Sequence, residues 1–281
     1  MVNPAASPEE ERKRQTWRDF YDRGERYDVH YLPERWNSIV RRNVVTAVAM
    51  IGGALLLVAL LWWWGRVGPF VLGGVLALAM VVYALTALRT RHMLIAHSGG
   101  EPGLALGVSN EGLHTPVLGT LPWSEVIGVF LVDESRKVDA IRAQRGLQGA
   151  AARFAAKNGA GSAHVNVVLP DGKEVRRRIE TRSWRRIVQT WAHHDGPMFG
   201  VVSFTLDQAV APGDMTRLGM AIIVQCERRP QVDVSLTRGA STFAEYMMRK
   251  SKVFDYSTAD GRAGGSATGT GTDATGGQSR T

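Results

Sequence analysis

The chain has 281 residues, a formal net charge of +8 and one cysteine. This length suits one medium-sized domain with attachments. The single cysteine, Cys226, excludes an intrachain disulfide and agrees with a reducing compartment. The mean hydropathy is close to neutral, but this average hides a strong asymmetry because the apolar residues are concentrated in one part of the chain.

The N-terminal segment, residues 1–43, carries the signature of an amphipathic helix. Ser7 and Glu10 form a capping box at its start, and Gly24 is a stop signal. Its aromatic residues share one face: Trp17, Phe20 and Tyr21. Two interpretations stay open, a helix lying on the inner leaflet of a membrane and a helix packed on a cytoplasmic domain.

Two apolar runs follow, residues 44–64 and 67–88, and neither contains a charged residue. Each exceeds the roughly 18 to 20 residues that cross a hydrocarbon layer of ~30 Å. The sequence therefore predicts a transmembrane α-helical hairpin. The charged segment before the first run is too long for a cleavable secretory signal, so the first span serves as its own insertion signal.

The arginines that flank the two runs predict the orientation. The cytoplasmic candidates are Arg35, Arg41, Arg42, Arg89 and Arg91, whereas only Arg66 lies in the turn between the runs. The positive-inside rule then places both termini in the cytoplasm. We therefore expect a membrane protein with two spans.

Three consecutive tryptophans, Trp62, Trp63 and Trp64, stand at the end of the first run. With the turn outside, they fall at the outer membrane–water interface, where indole rings anchor membrane proteins. A cluster that stacks on sugars or aromatic ligands is the weaker alternative.

Small residues lie at matching depth in the two runs: Gly52 and Gly53 with Ala79, and Ala59 with Gly73. Small residues let transmembrane backbones approach closely. The hairpin therefore closes on itself or uses these residues in a homodimer. Transport is disfavoured because neither run carries an intramembrane charge.

Residues 93–195 read as a β domain. We predict strands at 104–108, 113–117 and 125–132, a hairpin around residues 170–173, and a closing helix from Trp184 to His194. Trp123 stands where a loop becomes a buried strand, so its indole is expected in the core. Residues 136–161 are basic and rich in alanine, which fits either a partly helical excursion or a mobile loop.

The last part of the chain has two kinds of sequence. Residues 197–252 read as a β-rich extension or subdomain, with strands at 221–226 and 231–236 and a short helix from Phe243 to Lys250. Residues 257–281 are rich in Gly, Thr and Ser and almost lack large apolar residues, so we expect a disordered tail.

Short motifs after the hairpin, "SNEGL", "LPWSEV" and "V-x-L-x-DG-x-x-V", resemble those of bacterial membrane proteins with a pleckstrin-homology-like (PH-like) domain, including the YcxB-like group. The resemblance covers roughly residues 44–195. It implies an α+β chain in which the hairpin precedes a cytoplasmic antiparallel β-barrel closed by one helix. It also implies a non-enzymatic role.

No motif for catalysis, a cofactor or a metal stands out. His193, His194 and Asp195 are adjacent, and neighbouring helix positions point about 100° apart, unlike the i, i+4 pair that holds zinc. Cys226 has no CxxC partner and is expected to pack as a small apolar residue.

The segment "VRRRIETRSWRR" is the one prominent charge feature. Strand alternation predicts that Arg176 and Arg178 face solvent and leaves Arg177 on the face of the apolar residues, an inconsistency that a barrel rim or a bulge would explain. Arg185 and Arg186 lie off the apolar stripe of the predicted helix. The four solvent-facing arginines could contact anionic lipid headgroups or a protein partner, or form a solvated face. Nucleic-acid binding is disfavoured because no base-reading motif accompanies them.

These features predict a non-enzymatic interaction or regulatory protein, tethered to the inner membrane, with a protein partner of unknown identity. The alternative is a structural subunit of a larger membrane assembly of the secretion or conjugation type, with residues 197–252 as the interface.

Overall fold

The computed structural model describes residues 7–64, 67–191, 198–205, 209–237 and 243–247. Over these residues the chain is α+β: two long apolar helices are followed by a domain with two β-sheets. The helices are α1 (Pro8–Asp22), α2 (Pro33–Trp64), α3 (Val67–His97), α4 (Ser135–Ala143), α5 (Leu147–Lys157), α6 (Gly172–Arg178) and α7 (Asp214–Glu227). Residues 243–247 are also helical.

The strands form two separate sheets. They are β1 (Tyr27–His30), β2 (Leu104–Val108), β3 (Gly112–Thr115), β4 (Gly119–Pro122), β5 (Gly128–Asp133), β6 (Ala163–Leu169), β7 (Val188–Trp191), β8 (Phe199–Thr205) and β9 (Asp233–Thr237). The first sheet is antiparallel and has the order β1-β2-β3-β4. Strands β2, β3 and β4 follow one another directly, whereas α2 and α3 lie between β1 and β2. The second has the order β7-β8-β6-β5-β9 and is antiparallel except for the β5–β9 pair. The described residues form no closed barrel.

Helices α2 and α3 pack against each other and are long and apolar enough to cross a membrane. Several alanines of the two helices are buried: Ala47, Ala54, Ala77, Ala84 and Ala87. Gly73 packs directly against Leu61. The hairpin therefore closes on itself, as the first of the two interpretations predicted. A homodimer stays a prediction.

A leucine at Gly73 should disrupt this contact, because its side chain would occupy the space of Leu61. Overpacking of this kind typically costs about 1–3 kcal/mol. The matched control is Gly74→Leu, since a Cβ at Gly74 meets no atom within 4 Å. Thermal unfolding in detergent should show a lower midpoint for Gly73→Leu only; equal midpoints for the two variants would contradict the packing.

Helix α3 runs from the apolar hairpin into the core of the domain without a linker. Its last turn contains Ala96, which is fully buried, and His97, whose ring centroid lies 5.1 Å from that of Phe204 in β8. The same helix is thus exposed and apolar at Leu72, which is 77% exposed, and part of a packed core at its other end. The domain is therefore docked on the end of the hairpin.

Helix α1 packs on the domain, which confirms the second of its two interpretations. Ser7 and Glu10 form the predicted capping box. Tyr21 is fully buried in the core, and α1 contacts α7. Arg14 pairs with Glu227, the last residue of α7. The aromatic face therefore packs against the domain, with Tyr21 fully buried and Trp17 and Phe20 partly buried.

The predicted hairpin around residues 170–173 is wrong, because α6 begins there. The Asp171 carboxylate accepts hydrogen bonds from the backbone N–H groups of Lys173 and Glu174, both at 2.9 Å, and so caps the helix. In a helix, Val175 and Ile179 are one turn apart and both are buried, while Arg177 is exposed. The inconsistency over Arg177 arose from assuming a strand.

The predicted closing helix is also wrong over its described part. Residues Trp184–Ile187 form a 3-10 turn, after which β7 pairs with β8, placing Val188 opposite Val202. Residues 192–194 lie outside the described part of the chain. The PH-like barrel and its helix are therefore not found among the described residues.

Residues 197–252 were expected to be β-rich. In their described parts, one of the predicted strands is a helix instead. The predicted strand at 221–226 lies in α7, where Leu218, Ala221 and Ile222 are buried at helical spacing. The predicted strand at 231–236 is confirmed as β9, and β8 lies inside the second sheet. Residues 248–250 of the predicted short helix and the expected tail at 257–281 lie outside the described residues.

The prediction that Trp123 fills the core is confirmed. Its side chain is 3% exposed, and its Nε1–H donates to the carbonyl oxygen of Ser109 at 2.9 Å. The guanidinium of Arg229 lies over the ring, 5.1 Å from its centroid. The indole thus contacts both the turn after β2, at Ser109, and the segment that follows α7, at Arg229.

Trp123→Ala should lower the free energy of unfolding by about 3–5 kcal/mol, the usual loss for a large core aromatic. Trp191→Ala is the control, because Trp191 is 44% exposed at the sheet edge, and it should cost far less. Denaturant unfolding of the full chain in detergent, followed by the loss of the far-ultraviolet circular dichroism signal, measures both. A loss below about 1 kcal/mol for Trp123→Ala would contradict the packing.

Candidate functional site: a basic pocket beside the third helix

A pocket of about 700 Å³ opens where α3 leaves the apolar hairpin. One face of α3 supplies Leu85, Leu88, Arg89 and His92, which recur at helical spacing. The opposite wall comes from Arg176 at the end of α6 and from the segment 186–190. We call this feature the basic pocket. Its lining residues are Leu85, Leu88, Arg89, His92, Met93, Arg176, Arg186, Gln189 and Thr190.

Local contacts fix the domain side of the pocket against α3. The 3-10 turn Trp184–Ile187 contacts α3, and the His92 ring Nε2 lies 3.0 Å from the carbonyl oxygen of Ser183. Arg176 is half-buried, and its Nε–H donates to the carbonyl oxygen of Val188 at 2.8 Å. This bond orients the guanidinium beside the pocket and leaves its two terminal nitrogens available to a ligand.

The pocket has an excess of positive charge. Among the described residues, no Asp or Glu lines it. Within the described part of the chain, no carboxylate forms an ion pair with Arg89, Arg176 or Arg186. Three guanidinium groups and an imidazole thus face a shared space, and guanidinium groups match the geometry of phosphate and carboxylate oxygens. The arrangement suits an anionic ligand.

The structure separates the four arginines that the sequence grouped together. Arg176 and Arg186 line the basic pocket. Arg178 pairs instead with Glu125, Nη1 to Oε2 2.6 Å, and this hydrogen bond raises the pKa of the guanidinium above its usual value. Arg185 is half-buried and donates from Nε to the carbonyl oxygen of Ile179 at 2.9 Å. Two of the four predicted residues therefore come together at one site.

The sequence interpretation missed Arg89 and His92 as members of the site. Arg89 was used only as a topology signal, because it follows the second apolar run. The signal that would have found them is their i, i+3 spacing, together with Leu85 and Leu88 one turn earlier. That spacing places the two cationic side chains on the same helix face as the end of the apolar stretch.

A second cavity, of about 480 Å³, adjoins the basic pocket and shares Arg89, Met93 and Gln189 with it. His97 lines this cavity and is 7% exposed, and neither of its ring nitrogens has a hydrogen-bond partner among the described residues. The His164 Nδ1 lies 2.8 Å from the Thr205 hydroxyl on the opposite wall. The basic pocket therefore continues inward as a mainly apolar space with a few hydrogen-bonding groups.

The tryptophans of the predicted anchor lie at the far end of α2 from this pocket. Trp62 and Trp63 are 80% and 86% exposed. The side chain of Trp64 lies outside what the structure describes. Exposed indoles at the end of an apolar helix fit the anchoring role, which stays a prediction.

The remaining histidines, acidic residues and the cysteine were the other candidates for a reactive site. Among the described residues there is no group of three or more His, Cys, Asp or Glu side chains that could hold a metal ion. The residues His193–Asp195 fall outside the described part of the chain. Cys226 is buried, and burial raises the pKa of its thiol to about 12, so the thiol stays protonated near neutral pH.

No protein family model, curated protein or solved structure matches the chain. The resemblance to PH-like membrane proteins therefore rests on the short sequence motifs alone. The chain itself consists of two candidate membrane-spanning helices and a domain of two β-sheets that is docked on their end.

Proposed function

We propose that this chain is a membrane-tethered interaction or regulatory protein whose basic pocket holds an anionic lipid headgroup. The observation that carries the proposal is the set of three arginines, Arg89, Arg176 and Arg186, that have no acidic partner among the described residues and lie beside the exposed apolar residues Leu85 and Leu88. A headgroup in this pocket would place its acyl chains along the apolar surface of α3.

The membrane part of the proposal is supported by the surface of the hairpin. Only 22% of the most apolar window of each helix is buried within the protein. Large apolar residues point outward on both helices, with Leu55 67% and Leu72 77% exposed. A soluble protein rarely exposes an apolar surface of this extent. A bilayer would cover it, since each helix satisfies its own backbone hydrogen bonds.

We infer the orientation from the arginines at the two charged ends of the hairpin, since the positive-inside rule supports a domain on the cytoplasmic side of a bacterial inner membrane. The inner leaflet carries a negative surface potential, worth about 1 kcal/mol per basic residue close to it. The basic pocket lies at the level of Arg89, where the apolar stretch ends. Its position and its charge thus agree with an anionic headgroup as ligand.

The proposal keeps the general form implied by the PH-like resemblance, a non-enzymatic domain tethered by a hairpin, without relying on a barrel. A lipid-dependent change in the docking of the domain would be passed to a protein partner of unknown identity. The chain would thereby report the lipid composition of its own membrane.

A structural subunit of a larger membrane assembly is the second candidate, and one observation favours it. An apolar groove beside α7 and β9 is lined by Met215, Met220, Ile223 and Leu236. Leu236 is 69% exposed on the edge strand of the second sheet, and such edges can accept another chain. Purification in mild detergent separates the two candidates. If other proteins co-purify in a fixed ratio, the chain is a subunit of an assembly. If the chain purifies as a free monomer or dimer, the result favours the membrane-tethered protein that binds an anionic lipid.

Lipid binding can be tested with the double variant Arg176→Gln, Arg186→Gln. The full-length protein in detergent should retain phosphatidylglycerol or cardiolipin in preference to phosphatidylcholine, as measured by native mass spectrometry. Loss of two basic groups should weaken anionic binding by about 2 kcal/mol, roughly 30-fold. High salt should weaken the wild type as well, because it screens the same charges.

The matched control is Arg177→Gln, Arg182→Gln, which removes the same charge from exposed positions outside the pocket. This control should keep the anionic preference. If both double variants lose binding equally, the net charge of the protein and not the basic pocket determines lipid binding. If the wild type shows no anionic preference even at low salt, the proposed ligand is wrong.

The orientation is tested by cysteine labelling in intact cells. A cysteine introduced at Gly65 should react with an impermeant thiol reagent from outside, and one at Glu25 should react only after permeabilisation. The wild type is the control, because the buried, protonated Cys226 should stay unlabelled. Labelling of Glu25→Cys in intact cells would show that the orientation is the opposite of the one proposed.

A further inference from the structure

The connection between β5 and β6 is an ordered helical insertion and not a mobile loop. Strands β5 and β6 pair directly, with Asp133 opposite Ala163, and helices α4 and α5 leave the sheet between them. The two helices pack on each other. We call residues 135–158 the helical insertion. The sequence had left open whether this segment was helical or mobile.

The end of the helical insertion is fastened to the apolar hairpin by a buried polar cluster. Asn158 is 7% exposed, and its carbonyl oxygen accepts a hydrogen bond from Asn43 Nδ2 at 2.7 Å. Its side-chain Oδ1 accepts from the Thr46 hydroxyl at 3.4 Å, and its Nδ2 donates to the Tyr83 hydroxyl at 3.5 Å. Asn158 thus bridges α2 and α3.

The position of this cluster along the helices sets its depth. Thr46 follows Arg42 by about one helical turn, roughly 6 Å along α2, and Tyr83 precedes Arg89 by roughly 9 Å along α3. Both residues lie inside the uncharged runs. The attachment point of the insertion is therefore some 6–9 Å farther into the apolar hairpin than the arginines that mark its charged end.

The surface of α5 next to this attachment point is apolar and exposed. Phe154 stacks on Tyr83 with ring centroids 5.8 Å apart, yet it is still 40% exposed. Ala150 and Ala151 are exposed one turn earlier, and the i, i+3, i+4 spacing puts them on the same face as Phe154. Through Phe154, this face adjoins Tyr83 on α3.

The remaining charge of the helical insertion complements an anionic leaflet. Its cations outnumber its acids, with Asp139 as the acid between residues 135 and 158. The cations are Arg136, Lys137, Arg142, Arg145, Arg153 and Lys157. An apolar face flanked by basic residues is the pattern of helices that lie in the membrane interface.

We propose that the helical insertion lies in the headgroup interface of the inner leaflet, with the Ala150, Ala151 and Phe154 face turned towards the acyl chains. The inference rests on the proposed membrane-spanning hairpin, but it concerns a different surface from the basic pocket. The domain then meets the membrane at two places, the pocket beside α3 and the insertion fastened to both helices.

Depth-dependent quenching tests the proposal on the full-length protein in vesicles that contain phosphatidylglycerol. A polarity-sensitive fluorophore is attached to Ala151→Cys, and quenching lipids carry a nitroxide either near the headgroup or deep in the acyl chain. We expect blue-shifted emission and quenching of more than half the signal by the shallow nitroxide. Ala151 is exposed and small, so the substitution should leave the fold intact.

Two further labels make every outcome decisive. Glu25→Cys lies where β1 begins, at the end of that strand away from α2, and should be unquenched. Leu78→Cys, near the middle of the second apolar run and 64% exposed, should be quenched by the deep nitroxide. If Leu78 is unquenched, the spanning hairpin itself fails. If Leu78 is quenched while Ala151 emits as in water, only the interfacial insertion fails.

A third pattern would also overturn the proposal. If the fluorophore at position 151 emits as in an apolar environment but neither nitroxide quenches it, the face of Ala150, Ala151 and Phe154 is covered by protein and not by lipid. The variants Phe154→Asp and Phe154→Leu then provide an independent check. The aspartate should shift the Ala151 label towards the emission expected in water, and the leucine should leave it unchanged, because only the charge is costly at the acyl boundary.

Discussion

The arrangement of the chain depends on one helix, α3, whose two ends lie in different environments. Helix α3 is apolar and outward-facing along the hairpin, and its last turns belong to the core of the β domain, where Ala96 is fully buried. A helix is stiff over this length, so the domain cannot move away from the hairpin without breaking its own core. The distance between the domain and the proposed bilayer is therefore set by the sequence of α3.

This constraint explains where the polar groups of the junction are found. Directly beyond the apolar run, α3 carries Arg89 and His92 into the basic pocket, while His97 lies deeper in the adjoining cavity. On α2 the equivalent level holds Asn43, which bonds Asn158 of the helical insertion. The ring of polar contacts around the end of the hairpin thus fastens the domain and also provides the surfaces that we propose for lipid.

The parts of the fold that were predictable from the sequence are those decided by local composition. The two apolar runs, the capping box at Ser7 and the buried Trp123 each depend on short stretches. The errors arose where tertiary contacts decide. "AIIVQC" is rich in β-branched residues, but α7 buries its apolar face between the sheets. The segment after Trp184 is a strand because β8 needs a partner at the sheet edge.

The candidate site was predictable only in part, for the same reason. Arg176 and Arg186 stood out by local charge, but their separation from Arg178 depends on Glu125, a residue distant in sequence. Nothing in the local sequence shows that α3 passes beside them.

The most direct test of the account is the distance between the hairpin and the domain in a bilayer. Spin labels at the exposed positions Leu76 and Thr181 can be measured by double electron–electron resonance in lipid nanodiscs. Rigid docking through α3 predicts one narrow distance distribution, unchanged between detergent and lipid. A broad distribution, or two separate distances, would contradict it, because the domain would then move independently of the hairpin.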